Sequence, residues 1–129
     1  MEDKIRCAFE ALVSEGLVGA VYLMGSAAAG TLRPDSDIDI AILPADGISI
    51  SLDARMQLIS ALTLELGRDV DLGIIDSKNL VYASEAILKG KRIVNADQDY
   101  VAKTETRLLG CYLQFREDRR VVEEAYRAA

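Results

Sequence analysis

Hydrophobic residues recur along the chain with two different spacings, one typical of helices and the other of buried strands. Between Ile5 and Val13 they recur every three or four residues, which predicts a helix from about Asp3 to Glu15. Short apolar runs predict strands in LVGAVYLM (17–24), DIDIAIL (37–43), DVDLGII (69–75) and KRIVN (91–95). Further helices are expected over about Ala54–Leu66, Leu80–Leu88 and Asp99–Ala128. This order predicts a mixed α/β fold in which helices pack on a small sheet of about four strands.

The connecting segments carry turn and cap residues. GSAAAG (25–30) reads as a turn that can enter a short helix through its alanines, and Pro34 marks the following loop. Asp53 is the candidate N-cap of the helix that Gly67 ends.

The 129 residues fit a single domain over residues 1–129, and half of them are hydrophobic, which favours a packed core. No apolar run approaches the ~20 residues that span a bilayer. The N-terminal segment reads as an amphipathic helix rather than a secretory signal. Cys7 and Cys111 do not suggest a disulfide framework. We therefore expect a cytoplasmic protein with two reduced thiols.

The net charge of −6 argues against direct binding to nucleic-acid backbones, which needs a basic face. It leaves room for a basic protein partner or for a nucleotide bound with a metal ion. The chain contains no histidine, which excludes Ser-His and Cys-His nucleophiles and histidine metal ligands. General base chemistry must then fall to carboxylates, or to Lys or Tyr.

Two aspartates stand at the start of the second predicted strand. Because side chains alternate along a strand, Asp37 and Asp39 share one face, while Ile38, Ile40 and Ile42 form the other. An acidic pair at a strand end can simply face solvent. Asp71 stands inside a third apolar run and can likewise be an edge residue that faces water.

If the three acids converge, they need a counter-charge. Two unit charges ~4 Å apart repel by roughly 4 kcal/mol at an effective dielectric constant near 20. A divalent cation supplies that charge, and hard carboxylate oxygens suit Mg²⁺. Gly25 and Ser26 then become candidates for a phosphate cradle, since glycine allows close backbone approach and serine offers a hydroxyl.

The combined pattern is more specific than its parts. Gly25-Ser26, a gap of ten residues and Asp37-x-Asp39 resemble the signature of the nucleotidyltransferase superfamily that includes DNA polymerase beta. At average residue usage this pattern occurs by chance in about one chain of this length in a thousand. The pattern also falls in the strand–turn–strand context of that superfamily, with a third acid on a later strand.

The resemblance extends over the whole chain to the minimal nucleotidyltransferases, which are paired with HEPN-domain proteins. It is carried by YLMGSAAAGTLRPDSDIDIAIL, DVDLGIID, AILKGKRIVNAD and YLQFREDRRVVEEAY. The resemblance implies an antitoxin that transfers AMP from ATP to a tyrosine hydroxyl of a HEPN ribonuclease toxin. It also implies that Asp37, Asp39 and Asp71 are catalytic and hold two Mg²⁺ ions.

The same resemblance assigns the β- and γ-phosphates to Gly25 and Ser26. The chain departs from the family at Ala27–Ala29, where a basic or aromatic residue is often found. We therefore expect weaker triphosphate binding and slow turnover. Arg33 is the candidate for replacing this missing positive charge at the nucleotide. Alternatively, Arg33 is simply a solvated loop residue.

The last predicted helix has an aromatic stripe. One helical side carries Leu108, Tyr112, Phe115, Val122 and Tyr126. This side is expected to close the core or, alternatively, to bind a partner.

Two alternative functions remain open. One is a small-molecule (aminoglycoside-type) nucleotidyltransferase, and the other is a non-catalytic antitoxin that acts by binding alone.

Overall fold

The computed structural model describes residues 1–31, 33 and 35–128, so that Pro34 of the predicted loop lies outside the described residues. The helices are α1 (Glu2–Ser14), α2 (Gly25–Ala29), α3 (Leu52–Leu66), α4 (Leu80–Lys89) and α5 (Gln98–Ala128). The strands are β1 (Val18–Leu23), β2 (Ile38–Pro44), β3 (Val70–Ile74) and β4 (Lys91–Asn95). The predicted mixed α/β class and the four-stranded sheet are confirmed, and the alanines after Gly25 do form a short helix.

The sheet has the order β3-β2-β1-β4. Strand β1 pairs antiparallel with β2 and with β4, whereas β2 and β3 run parallel. Leu23 at the end of β1 pairs with Ile40 on one side and with Lys91 on the other. The end of β1, the start of β2 and the start of β4 therefore meet at one end of the sheet, and α2 begins there.

Each face of the sheet is covered by its own hydrophobic cluster. The three isoleucines of β2 are fully buried with residues of α1 and α3 such as Phe9 and Leu62. Ala41 and Leu43 belong to the second cluster, together with Ile75 and residues of α4 and α5. The predicted alternation of β2 is confirmed, and the face of Ala41 is the one that begins with Asp39.

Helix α3 begins two residues earlier than the Asp53 cap predicted. Its N-cap is Ser51, whose hydroxyl accepts a hydrogen bond from the Ala54 amide at 3.1 Å. Asp53 lies within the first turn, where its charge favours the positive end of the helix dipole. The Asp53 cap was therefore wrong, because a serine two residues earlier caps the helix by accepting the hydrogen bond of the Ala54 amide. The predicted C-terminal stop at Gly67 is confirmed.

Helix α5 is anchored at one end only. Tyr22 donates a hydrogen bond to Glu105 at 2.8 Å, and Leu108 is buried in the second cluster. Beyond these residues the stripe leaves the core, since Val122 is 54% and Tyr126 80% exposed. The expectation that the stripe closes the core is confirmed at Leu108 and wrong for its distal half, which extends past the sheet.

Two further observations concern the surface. Cys7 and Cys111 are free and exposed, as expected for unpaired thiols. None of the helices within the described ranges is both long enough and apolar enough to traverse a lipid bilayer.

Candidate active site

The Gly-Ser turn lies at the end of the central strand β1. Gly25 has φ +57°, in the left-handed region that a side chain disfavours, and it opens α2 directly after Met24. A Cβ atom at Gly25 would lie 3.5 Å from Oδ2 of Asp39. Ser26 follows in the first turn and is half-buried. The turn thus brings bare backbone next to the carboxylate of the neighbouring strand.

Asp39 and Asp71 are direct neighbours across β2 and β3. The parallel register pairs Asp39 with Asp71, so that both carboxylates stand on the same face. Asp37 lies one residue before β2 and is exposed. The register is fixed at this point by a 2.9 Å hydrogen bond from the Ile38 amide to the Asp69 carbonyl. The structure therefore brings the acids together at the sheet end that also carries the Gly-Ser turn.

The acids repel one another. The pKa of Asp39 is raised above its ordinary value, first by partial burial and then by the negative charges of Asp71 and Asp37. A positive ion between these groups would remove the repulsion and would lower that pKa. The electrostatics of the site therefore favour a bound cation.

The donor set can be compared with what Mg²⁺ requires. No group of three Asp, Glu or Cys side chains among the described residues is placed to hold a metal ion by itself. Mg²⁺ commonly takes one or two carboxylates and completes its shell with water and substrate phosphates. Asp39 and Asp71, with Asp37 beside them, fit that pattern when a nucleotide supplies the remaining oxygens.

A tyrosine that the sequence reasoning missed also lies at the site. Tyr82 of α4 places its hydroxyl over Gly73, where an added Cβ would come within 1.9 Å of it. Burial and the charges of Asp71 and Asp39 raise the pKa of Tyr82 to about 12. The glycine was the available signal, because a glycine inside a strand often marks a close approach by another group.

Neither Arg33 nor Arg55 forms an ion pair with the acids among the described residues. Arg33 is exposed, and its carbonyl oxygen accepts a hydrogen bond from Arg68 at 2.9 Å. Arg55 of α3 donates a hydrogen bond to the Leu72 carbonyl on the edge strand β3, and its charge opposes the rise of the Tyr82 pKa. Arg55 was not among the predicted site residues.

Comparison with known proteins identifies the family of this arrangement. The family model described as polymerase beta, nucleotidyltransferase matches residues 9–99. The protein adenylyltransferase MntA of Shewanella oneidensis is 38% identical over 79 residues, which are 61% of this chain and 55% of that protein. The match thus spans about half the length of that curated relative.

Solved structures match over nearly the full chain. A chain in the crystal structure of a toxin–antitoxin with AMP-PNP is 28% identical, with a TM-score of 0.77 and 97% of both chains covered. A chain in the crystal structure of the toxin–antitoxin MntA–HepT is 25% identical, with a TM-score of 0.72, and the match covers 97% of this chain and 95% of that one. These similarities extend through the sheet into the region of α5.

Proposed function

The chain belongs to the polymerase beta nucleotidyltransferase family, and on that premise we propose that it transfers AMP from ATP to a tyrosine hydroxyl of a partner HEPN-domain toxin. Its relative from Shewanella oneidensis is a protein adenylyltransferase. A solved structure to which this chain is similar is a toxin–antitoxin with AMP-PNP. The protein would then act as the antitoxin of such a pair. The AMP-PNP in that similar structure is an analogue of ATP, which supports ATP as the substrate.

The observation that carries this proposal is the meeting of two features at one sheet end. Gly25 approaches the Asp39 carboxylate, and Asp39 stands beside Asp71. The first feature suits an anionic phosphate chain, and the second suits a cation that binds the same phosphates. A purely structural acidic pair does not require a left-handed glycine beside it.

The residues have separate roles in the proposed reaction. Asp37 and Asp39 would hold Mg²⁺, and Asp71 would complete the cation site on the side of the acceptor hydroxyl. The backbone at Gly25 and the hydroxyl of Ser26 would bind the β- and γ-phosphates. When bound, Mg²⁺ neutralises phosphate charge and favours the ionised form of an attacking hydroxyl.

The transfer itself is an exchange of two bonds at phosphorus. The acceptor phenol, with an ordinary pKa near 10, is a poor nucleophile at neutral pH. Asp71 would help to take its proton. A bond forms between the phenol oxygen and the α-phosphorus, the bond from that phosphorus to the bridging oxygen breaks, and pyrophosphate leaves.

The partner would bind the distal half of α5. This half carries exposed apolar side chains, among them Leu113 (62% exposed) and Val122 (54%). Arg119 lies 5.8 Å over the ring of Phe115, which gives the surface a cationic and aromatic character. Such residues are enriched in protein interfaces. A groove of about 600 Å³ on this surface is also lined by Val81 of α4.

The proposal is tested by incubating the protein with α-labelled ATP, Mg²⁺ and a cognate HEPN-domain protein. Label on a partner tyrosine, lost when Mg²⁺ is chelated, is the expected result. Label on a small amine or alcohol in place of the partner would indicate a small-molecule nucleotidyltransferase. A stable complex without any transfer would indicate an antitoxin that acts by binding alone.

A further inference from the structure

A cleft beside the Gly-Ser turn has none of the three predicted site acids in its lining. It has a volume of about 410 Å³ and lies between α2 and the C-terminal end of α4. Its lining includes Gly25, Ala28 and Ala29 from α2 with Glu85, Lys89 and Gly90 from α4 and its cap. At about 30 Å³ per water molecule this volume corresponds to roughly fourteen waters, which leaves room for a phosphate group.

The end of α4 is fixed beside the turn by Gly90. A Cβ at Gly90 would lie 2.3 Å from the Ala86 carbonyl oxygen and 3.0 Å from that of Leu23, so only glycine fits without a shift. Leu23 is the last residue of β1 and stands two positions before Gly25. Lys89, adjacent to Gly90, is exposed and lines the same cleft as Gly25.

The charges around the turn are unequal. On the β2 side stand acids, and α2 itself offers only alanines after Ser26. A triphosphate carries several negative charges and needs positive groups along its length. Among the described residues that line the cleft, Lys89 supplies the positive charge and Glu85 opposes it from one helical turn away.

We propose that Lys89 binds the terminal phosphate of the nucleotide and so replaces the cation that is missing from the alanines of α2. This inference rests on the proposed function. The small side chains of Ala28 and Ala29 line this cleft together with Lys89, and the Lys89 ammonium group would bind the phosphate within it. The phosphate chain would pass over Gly25, with the acids and their cation on one side and Lys89 on the other.

The competing explanation for Lys89 is structural. A lysine in the last turn of a helix stabilises the helix dipole without any ligand. That role predicts a change in stability that is the same with and without nucleotide. A phosphate-binding role predicts a change in the preference for ATP over AMP, which a helix-stabilising role does not alter.

The experiment measures affinity for ATP and for AMP by calorimetry with Mg²⁺ present. Lys89→Gln should weaken ATP binding about tenfold and AMP binding less than twofold, because a charge-assisted contact to phosphate is lost. Lys89→Arg should stay within about threefold of wild type, and Glu85→Gln should tighten ATP binding about twofold as a like charge is removed. The matched control is Lys103→Gln, an exposed lysine on α5, which should change neither affinity.

The outcomes separate this inference from the proposed function. An unchanged ATP-to-AMP ratio in Lys89→Gln, or a loss confined to Arg33→Gln, would overturn the assignment of Lys89 while the proposed function stands. A wild-type protein that binds neither nucleotide would overturn the proposed function and the Lys89 assignment together. Thermal unfolding without nucleotide confirms that each variant is folded.

Discussion

Asp39 of β2 lies directly opposite Asp71 of β3, on the same face of the only parallel strand pair among the described residues. The two carboxylates repel each other, and the pKa of Asp39 rises as a result of burial and of that repulsion. This pair is a stability cost that the fold tolerates at the end of the sheet where the Gly-Ser turn also lies. Such a cost is typical of functional sites.

The first prediction concerns Asp39→Asn. Because the folded-state pKa of Asp39 is raised, its ionisation lowers stability as the pH rises above the ordinary carboxyl range near 4. Asp39→Asn should therefore be as stable as wild type at pH 7 without metal, or more stable by at most about 0.5 kcal/mol at this exposed site. The difference should shrink below pH 4. Urea unfolding at both pH values measures it, and a clearly less stable variant would contradict the repulsion.

The second prediction compares two left-handed glycines. Gly25→Ala and Gly67→Ala should each lose about 1–2 kcal/mol of stability from backbone strain alone, since both have positive φ. A Cβ at position 25 additionally approaches the Asp39 carboxylate, whereas one at position 67 meets nothing within 4 Å. Only Gly25→Ala should lose Mg²⁺-dependent ATP binding. Equal nucleotide affinities in the two variants would argue against a phosphate site at this turn.

The third prediction tests the contact between Gly73 and Tyr82. Gly73→Ala should lower stability by about 1–3 kcal/mol, because the new methyl group would overlap the Tyr82 ring. In a Tyr82→Ala background, Gly73→Ala should cost much less stability than it does in wild type. A double-mutant cycle measures this difference as a coupling energy. Additive effects of the two substitutions would contradict the close approach.

The fourth prediction concerns the distal half of α5. Val122→Ala should leave stability within about 0.5 kcal/mol of wild type, because the side chain is exposed. It should weaken the complex with the HEPN-domain partner about fivefold or more if this surface is the interface. Leu64→Ala, an exposed leucine on α3, is the control. A complex weakened equally by both substitutions, or by neither, would place the interface elsewhere.

The sequence predicted the elements well because their signals are local. Alternation fixed β2 and its two faces, and glycines marked the ends of α3 and α4. The cap of α3 was misplaced because Ser51 and Asp53 are both good capping residues, and only the path of the preceding loop decides between them.

What the sequence could not supply were the long-range neighbours. The meeting of Asp71 with Asp39 depends on β3 joining β2 in parallel, which strand periodicity does not encode. Tyr82 lies over Gly73 because α4 packs back against the sheet, a placement that local periodicity does not encode. The stripe on α5 was expected to close the core because its periodicity is the same whether it meets the protein's own core or a partner.

The most direct test of the central claim is the Mg²⁺ dependence of ATP binding in wild type and in Asp71→Asn, measured by calorimetry on variants shown to be folded. We expect wild-type binding to fall at least about tenfold when Mg²⁺ is replaced by a chelator, and Asp71→Asn to bind weakly in both conditions, because the cation and the acids act together. Wild-type ATP binding that is the same with and without Mg²⁺, or full Mg²⁺-dependent binding by Asp71→Asn, would contradict the account.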